Sequence, residues 1–323
     1  MRKKKETDSK ITNRLFFGAT SALKDLIGLR QIATSIEYQK KNRTNSQMTG
    51  LLSSAVKGRG IDFEEVRSYH PGDDVRNIDW KVTARTLSPH TKVFTEEKER
   101  PVFLIVDQSA SMFFGSRITF KSVVAARIAS VLAWCAHEQG DRIGGIIYSD
   151  LVHKKIKAKR GIKTVLSLLN EINELNNGLA SKSKNEPVVG KEASMFEILR
   201  LARKVIKEQT SIFLIGDFLN LDDASLIEIR SLARKNKLLA MHVFDPIETQ
   251  APRPNIYSIT DGYERIRINT NNKEFAKNYS KHYENRLEKI HSNFSDINSP
   301  VISVSTNESI EKIFFKNKLA NLK

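Results

Sequence analysis

The spacing of apolar residues changes character near Pro101. Downstream of it, short apolar runs alternate with helical patterns. Residues 102–106 are continuously apolar, as a strand covered on both faces requires. Residues 118–138 are apolar almost all round and predict a central helix. Further strands are predicted at 142–148, 211–215, 238–244 and 301–304. Helices are predicted at 163–175, 195–208, 224–236 and 309–317, with a polar loop at 176–190. Residues 256–268 read as a β excursion around Asp261-Gly262. Phe275, Tyr279, Tyr283, Leu287 and Ile290 then mark one helical face. Such alternation predicts an α/β domain: a doubly wound, mostly parallel sheet of about six strands with helices on both faces.

Upstream of Pro101 the pattern is weaker. Residues 1–12 read as a charged, loose arm. From Asn13 to Lys41, Ala22, Leu26, Leu29, Ala33 and Ile36 share a helical face. Residues 42–60 are polar and predict a loop, and 61–98 show little periodicity around a Pro71-Gly72 turn. No internal repeat is visible. The expected division is an N-terminal helical and irregular extension, 1–97, and the α/β domain, 98–323.

Composition adds limits. Hydrophobic residues make up 40% of the 323, enough for a sizeable core. Lys plus Arg total 53 against 37 Asp plus Glu, a net charge of +16. That balance suits nucleic acid, anionic lipid or an acidic protein, and equally a basic proteome. The single cysteine, Cys135, lies in an apolar run and reads as a buried small hydrophobe, so no intrachain disulfide forms. The first residues lack a signal peptide's apolar stretch, and no window is long and apolar enough to span a bilayer. A soluble, cytoplasmic protein is expected.

Candidate chemistry sits at strand ends. Asp107 closes the run Phe103-Leu-Ile-Val, and Asp217 closes Phe213-Leu-Ile-Gly. In a parallel sheet both carboxylates face the carboxyl edge, where open α/β sheets bind ligands. Ser109 and Ser111 follow Asp107, and Ser194 opens a predicted helix as Ser194-Met-Phe-Glu197. Together these oxygens suit a hard divalent cation: Mg2+ first, with Mn2+ or Ca2+ also compatible. Each residue alone has a plainer role as a turn former or helix cap, and Ser194 with Glu197 fits a capping box.

Asp107-Gln-Ser109-Ala-Ser111 resembles the metal-ion-dependent adhesion motif of von Willebrand factor A domains, Asp-x-Ser-x-Ser. In that family a later Thr and a later Asp complete the site. Asp217 matches the Asp, while Ser194 stands nearest to the Thr position and keeps only its hydroxyl. The chain is more closely similar to a bacterial branch, the domain-of-unknown-function 58 family, through Gly60-Ile-Asp-Phe63-Glu64-Glu-Val-Arg67-Ser-Tyr69-His-Pro71-Gly72-Asp73-Asp74-Val-Arg76-Asn-Ile-Asp79-Trp80 and Ala84-Arg85. That resemblance implies a von Willebrand factor A-like, Rossmann-like fold. It also implies an accessory role beside a MoxR-type AAA ATPase or its client, in assembly or metal loading of protein complexes.

The charged hallmark around Arg67, Asp73, Asp74, Arg76 and Asp79 reads either as a partner surface or as a clasp. In the clasp, Arg–Asp pairs and Trp80 pin the segment against the α/β domain, and this is the favoured reading. A second metal site at Asp73, Asp74 and Asp79 is disfavoured, because the arginines compete for those carboxylates. There is no P-loop, no dinucleotide-binding glycine motif, no nucleophile elbow and no zinc spacing among the seven histidines. The expected protein is therefore a non-enzymatic interaction module that takes a partner carboxylate through a bound cation. The alternative is a basic binder of nucleic acid or of an anionic membrane surface.

Overall fold

The structure is a computed structural model that describes residues 18–41, 61–96, 101–181, 194–260 and 265–315. The predicted loops at 1–12 and 42–60, the Asp261-Gly262 turn and the last residues of the final helix fall outside these ranges. In chain order the elements are α1 (Leu23–Gly28), α2 (Arg30–Lys41), β1 (Ile61–Ser68), α3 (Trp80–Thr86), β2 (His90–Glu96) and β3 (Val102–Asp107). They continue with α4 (Lys121–Glu138), β4 (Ile143–Tyr148), β5 (His153–Lys159), α5 (Ile162–Ser181), α6 (Met195–Val205), β6 (Ser211–Gly216) and α7 (Asp223–Ala233). The remainder are β7 (Lys237–Phe244), α8 (Pro246–Thr249), β8 (Ile256–Thr260), β9 (Arg265–Asn269), α9 (Lys273–Ser295), β10 (Val301–Ser305) and α10 (Ile310–Phe315).

The central sheet has six strands in the order β10-β7-β6-β3-β4-β5. Five run parallel, and β5 pairs antiparallel with β4 at one edge. Every residue of β3, β4 and β6 is buried, because helices cover both faces. On one face Leu104, Val106, Phe213, Ile215 and Met241 pack with α4, α5, α2 and α10. On the other, Phe103, Ile105, Ile212 and Leu214 pack with α6, α7 and α9. The predicted mixed α/β architecture, with a mostly parallel sheet between helices, is what the chain adopts.

The apolar helix predicted at 118–138 is α4, and residues on every side of it are buried. Its Ser130 hydroxyl and Trp134 indole N–H both donate to the Leu26 carbonyl, 2.6 and 3.3 Å away. These bonds hold α1, whose Leu26 is buried together with Ala33 and Ile36 of α2. The single predicted N-terminal helix is thus two, parting at Leu29.

Three predictions need correction. Residues 176–181 are helical, extending α5 beyond the predicted loop boundary. Asn176 looks like a loop residue, but its amide is buried, donating to Gln108 Oε1 at 2.9 Å and accepting the Ser21 N–H at 2.6 Å. Strand β5, His-Lys-Lys-Ile-Lys-Ala-Lys, was not predicted, since lysine on an exposed edge strand masks the apolar alternation. The stretch 61–98 holds the antiparallel β1–β2 pair with α3, hidden by a register shift between Phe63 and Glu65. The predicted turn is present, with Gly72 at φ +113°, a region glycine enters without steric cost.

The clasp reading also changes. Arg67 pairs with Asp73 (2.8 Å) and Arg76 with Asp74 (3.0 Å) inside the hallmark, and Asp79 pairs with Lys92 of the neighbouring β2 (3.4 Å). Trp80 is 70% exposed, so it does not pin the segment to the α/β domain. Asp79 caps α3, accepting the N–H groups of Lys81 and Val82. These carboxylates serve the local turn and cap. Among the described residues no helix is long and apolar enough to cross a membrane.

Candidate metal centre at the carboxyl edge of the sheet

Strands β3 and β6 are neighbours, with Val106 paired to Ile215. Their carboxyl ends therefore bring Asp107 and Asp217 to one edge, as predicted. Gly216 makes this close approach feasible. A Cβ there would lie 3.0 Å from Asp107 Cβ and 3.2 Å from its Oδ2. Both carboxylates are buried, at 8% and 1% exposure.

Each acid is held by its own loop. Asp107 Oδ1 accepts the Ser109 N–H at 2.8 Å, and Asp217 Oδ1 accepts the Leu219 N–H at 3.1 Å. The second turn needs Phe218 at φ +53°, a left-handed conformation costing a non-glycine residue about 1 kcal/mol. Packing offsets that cost: Phe218 is buried, its ring 5.5 Å from Phe294 and stacked 6.1 Å from His242. Ser109 Oγ and Ser111 Oγ are 3.1 Å apart, so the two hydroxyls converge on the same side of the loop.

Asp107, Ser109 and Ser111 thus share one loop, and Asp217 ends the adjacent strand. Ser194 is at the N-terminus of α6, which leads into the parallel strand β6 and so starts at this same edge. Its hydroxyl is exposed and accepts the Glu197 N–H at 3.3 Å, the helix-cap role.

Electrostatics make the two acids unequal. Burial pushes the Asp107 carboxyl up to about 7, and the nearby Asp217 charge pushes the same way. Hydrogen bonds from Ser109 and the Tyr148 hydroxyl oppose this only in part. Burial, and then the Asp107 charge, raise Tyr148 well above the ordinary phenol range. Asp217 has a cation beside it: Lys121 Nζ is 2.8 Å from Oδ2. The same ammonium is 2.9 Å from Glu248 Oε1, and Glu248 also pairs with Arg286 at 2.8 Å. Burial lowers the Lys121 pKa, but Asp217 and Glu248 outweigh it, and the net shift is upward.

Sequence reasoning missed Lys121, Asp150, Tyr148 and Glu248. Asp150 follows strand β4 and accepts the Ala110 N–H at 2.9 Å, tying the β4 loop to the serine loop. Its signal was a third acid just past an apolar strand. The signal for Lys121 was a lysine at the head of a helix apolar almost all round.

Among the described residues no three His, Cys, Asp or Glu side chains form a metal-ligating group. A cation here would depend on two carboxylates plus hydroxyls. That donor set is hard oxygen throughout and suits Mg2+, Mn2+ or Ca2+ rather than zinc or copper. Burial first, and then the Asp217 charge, raise the Asp107 carboxyl, as two buried acids side by side require. The donor types, though not a cluster of three acids, are those a divalent ion takes.

The family described as "Protein of unknown function DUF58" matches residues 65–289, and the chain belongs to that family. The match includes the hallmark from Glu65 onward, both edge aspartates and α9 as far as Lys289. Among curated proteins it is similar to the uncharacterized protein Mb1516 of Mycobacterium bovis and to Rv1480 of Mycobacterium tuberculosis. Each is 27% identical over 218 residues, covering 68% of this chain and 66% of the relative. The chain thus spans just under two thirds of the length of these relatives. The uncharacterized protein YeaD of Bacillus subtilis is 37% identical over 67 residues, 21% of this chain and 16% of that protein. Among solved structures, BatB from Bacteroides thetaiotaomicron overlaps 66% of this chain and 94% of its own, at 16% identity and a TM-score of 0.39.

Proposed function

We propose that the protein is a non-enzymatic interaction module of von Willebrand factor A-like type. A divalent cation, Mg2+ before Mn2+ or Ca2+, is held by Asp107, Ser109, Ser111 and Asp217, and a partner's carboxylate completes its coordination. Ser194 serves as a further ligand if its hydroxyl leaves the cap. The observation that carries this reading is the convergence of two buried acids on adjacent strands, beside the two hydroxyls of the loop after β3. Two carboxylates and two hydroxyls do not fill a divalent ion's coordination shell, so a position stays open for a partner's carboxylate.

The surrounding edge suits a protein partner. Phe114, Ile118, Leu151, Val152 and Leu219 are exposed large apolar residues on the loops after β3, β4 and β6. Apolar groups around a polar anchor are the usual make-up of an interface centre. A MoxR-type AAA ATPase or its client is the partner class the family resemblance implies, and the cell interior is the compartment that goes with it.

The basic alternative, nucleic acid or an anionic membrane, has less support. Four of the lysines line β5, where charge on an edge strand prevents unwanted strand pairing. The deciding experiment measures Mn2+ uptake and binding of the MoxR-type ATPase from the same genome, for wild type and Asp107→Ala, with and without chelator. Loss of both in the variant and in chelator is expected. Partner binding that survives either treatment refutes the cation-bridged mechanism.

A further inference from the structure

The candidate ion site contains a cation of the chain's own. Lys121 is the first residue of α4, where the helix dipole disfavours positive charge. Its side chain is 2% exposed, and burying an ammonium costs several kcal/mol unless it is well paired. Nothing within α4 explains the placement. The two carboxylates in contact with it do: Asp217 at 2.8 Å inside the site and Glu248 at 2.9 Å outside it. Glu248 is held by Arg286 at 2.8 Å and caps α8 through the Asp245 N–H, so it is anchored whether or not Lys121 leans on it.

We propose that Lys121 is a resident counter-ion of the site, sharing Asp217 with the divalent cation and shifting its weight to Glu248 when that cation binds. This rests on the divalent-cation reading above. Without the ion, the ammonium neutralises Asp217 and keeps two buried acids from forcing the edge apart. With the ion bound, an ammonium and a divalent charge face one carboxylate, and their repulsion loosens the ion. Glu248 moderates the repulsion by giving Nζ a second acceptor. The arrangement makes an exchangeable site, in which ion and partner leave together readily.

Two substitutions then have opposite effects on one quantity. Removing the ammonium strengthens the ion's hold, whereas removing the Glu248 charge concentrates the ammonium on Asp217 and weakens it. The test is a Mn2+ titration of the full chain followed by electron paramagnetic resonance, with wild type, Lys121→Met, Glu248→Gln and Asp107→Ala. Lys121→Met is expected to bind Mn2+ about tenfold tighter and Glu248→Gln a few-fold weaker, as the loss or gain of one nearby charge predicts in a partly screened site. Lys121→Met should also melt lower in chelator and recover with Mn2+.

Equal or weaker binding by Lys121→Met overturns the proposal. If that variant does not fold, Glu248→Gln decides, and equal or tighter binding there overturns it. Mn2+ held by wild type through Asp107, but indifferent to both substitutions, removes Lys121 from the mechanism and leaves the cation site standing. No uptake by wild type or by either variant removes both.

Discussion

Replacing Asp107 by Asn removes one charge from the edge while keeping the side chain's shape. The carboxyl stands at about 7 in the folded protein, against 3.8 for the ordinary value. The folded state therefore binds this proton more tightly than the unfolded chain. The stability it contributes is full below about pH 4, declines as pH rises, and is lost above about pH 7. The gap corresponds to about 4 kcal/mol at most. Structural relaxation and the amide's imperfect fit reduce this, and a net gain of about 2 kcal/mol for Asp107→Asn at pH 8 is expected in chelator. The amide oxygen can still accept the Ser109 N–H. Urea unfolding followed by circular dichroism, at pH 8 and pH 5, checks both magnitude and sign. The gain should shrink at pH 5, where wild-type Asp107 is protonated. With Mg2+ at a hundredfold over its dissociation constant, wild type gains about 2.7 kcal/mol and the variant nothing, so the order reverses. A variant no more stable than wild type at pH 8 in chelator would refute the idea that this charge is held at a cost to stability.

Other outcomes follow from the same geometry. Gly216→Ala places a methyl 3.2 Å from Asp107 Oδ2, and should weaken Mn2+ binding at least as much as it lowers stability, by about 1–3 kcal/mol in urea titration. His242 is fully buried with Nε2 unpartnered among the described residues, and burial lowers its pKa to about 4. The neutral ring's contribution is complete above about pH 6.5 and lost as pH falls towards 4, so His242→Phe should flatten the acid limb of a stability–pH curve. Trp80→Phe should change unfolding free energy by no more than about 0.5 kcal/mol, and leave the blue-shifted emission of buried Trp134.

How much was legible in the chain depended on where each signal resides. Strands β3, β4, β6 and β7 were readable because both faces are covered, so their runs are almost wholly apolar. The edge strand β5 was not, because lysine dominates it for reasons of edge protection rather than packing. Asn176 looked like a loop former, yet its amide is a buried tertiary partner of Gln108 and Ser21. The hallmark charges advertised ion pairs but not their direction, and the pairs close inside the hallmark and onto the neighbouring β2 rather than onto the domain.

The local sequence alone was enough to place Asp107, Ser109, Ser111 and Asp217 at strand ends, since a strand's end and the loop after it are set by neighbouring residues. Only the folded arrangement made β3 and β6 adjacent, set Gly216 against Asp107, and sent Lys121 from a helix of another layer into contact with Asp217. Strand order and the reach of a side chain across layers depend on contacts between residues about a hundred positions apart, as for Lys121 and Asp217. No pattern within a short window encodes such contacts, which is why the acids were foreseen and their counter-ion was not.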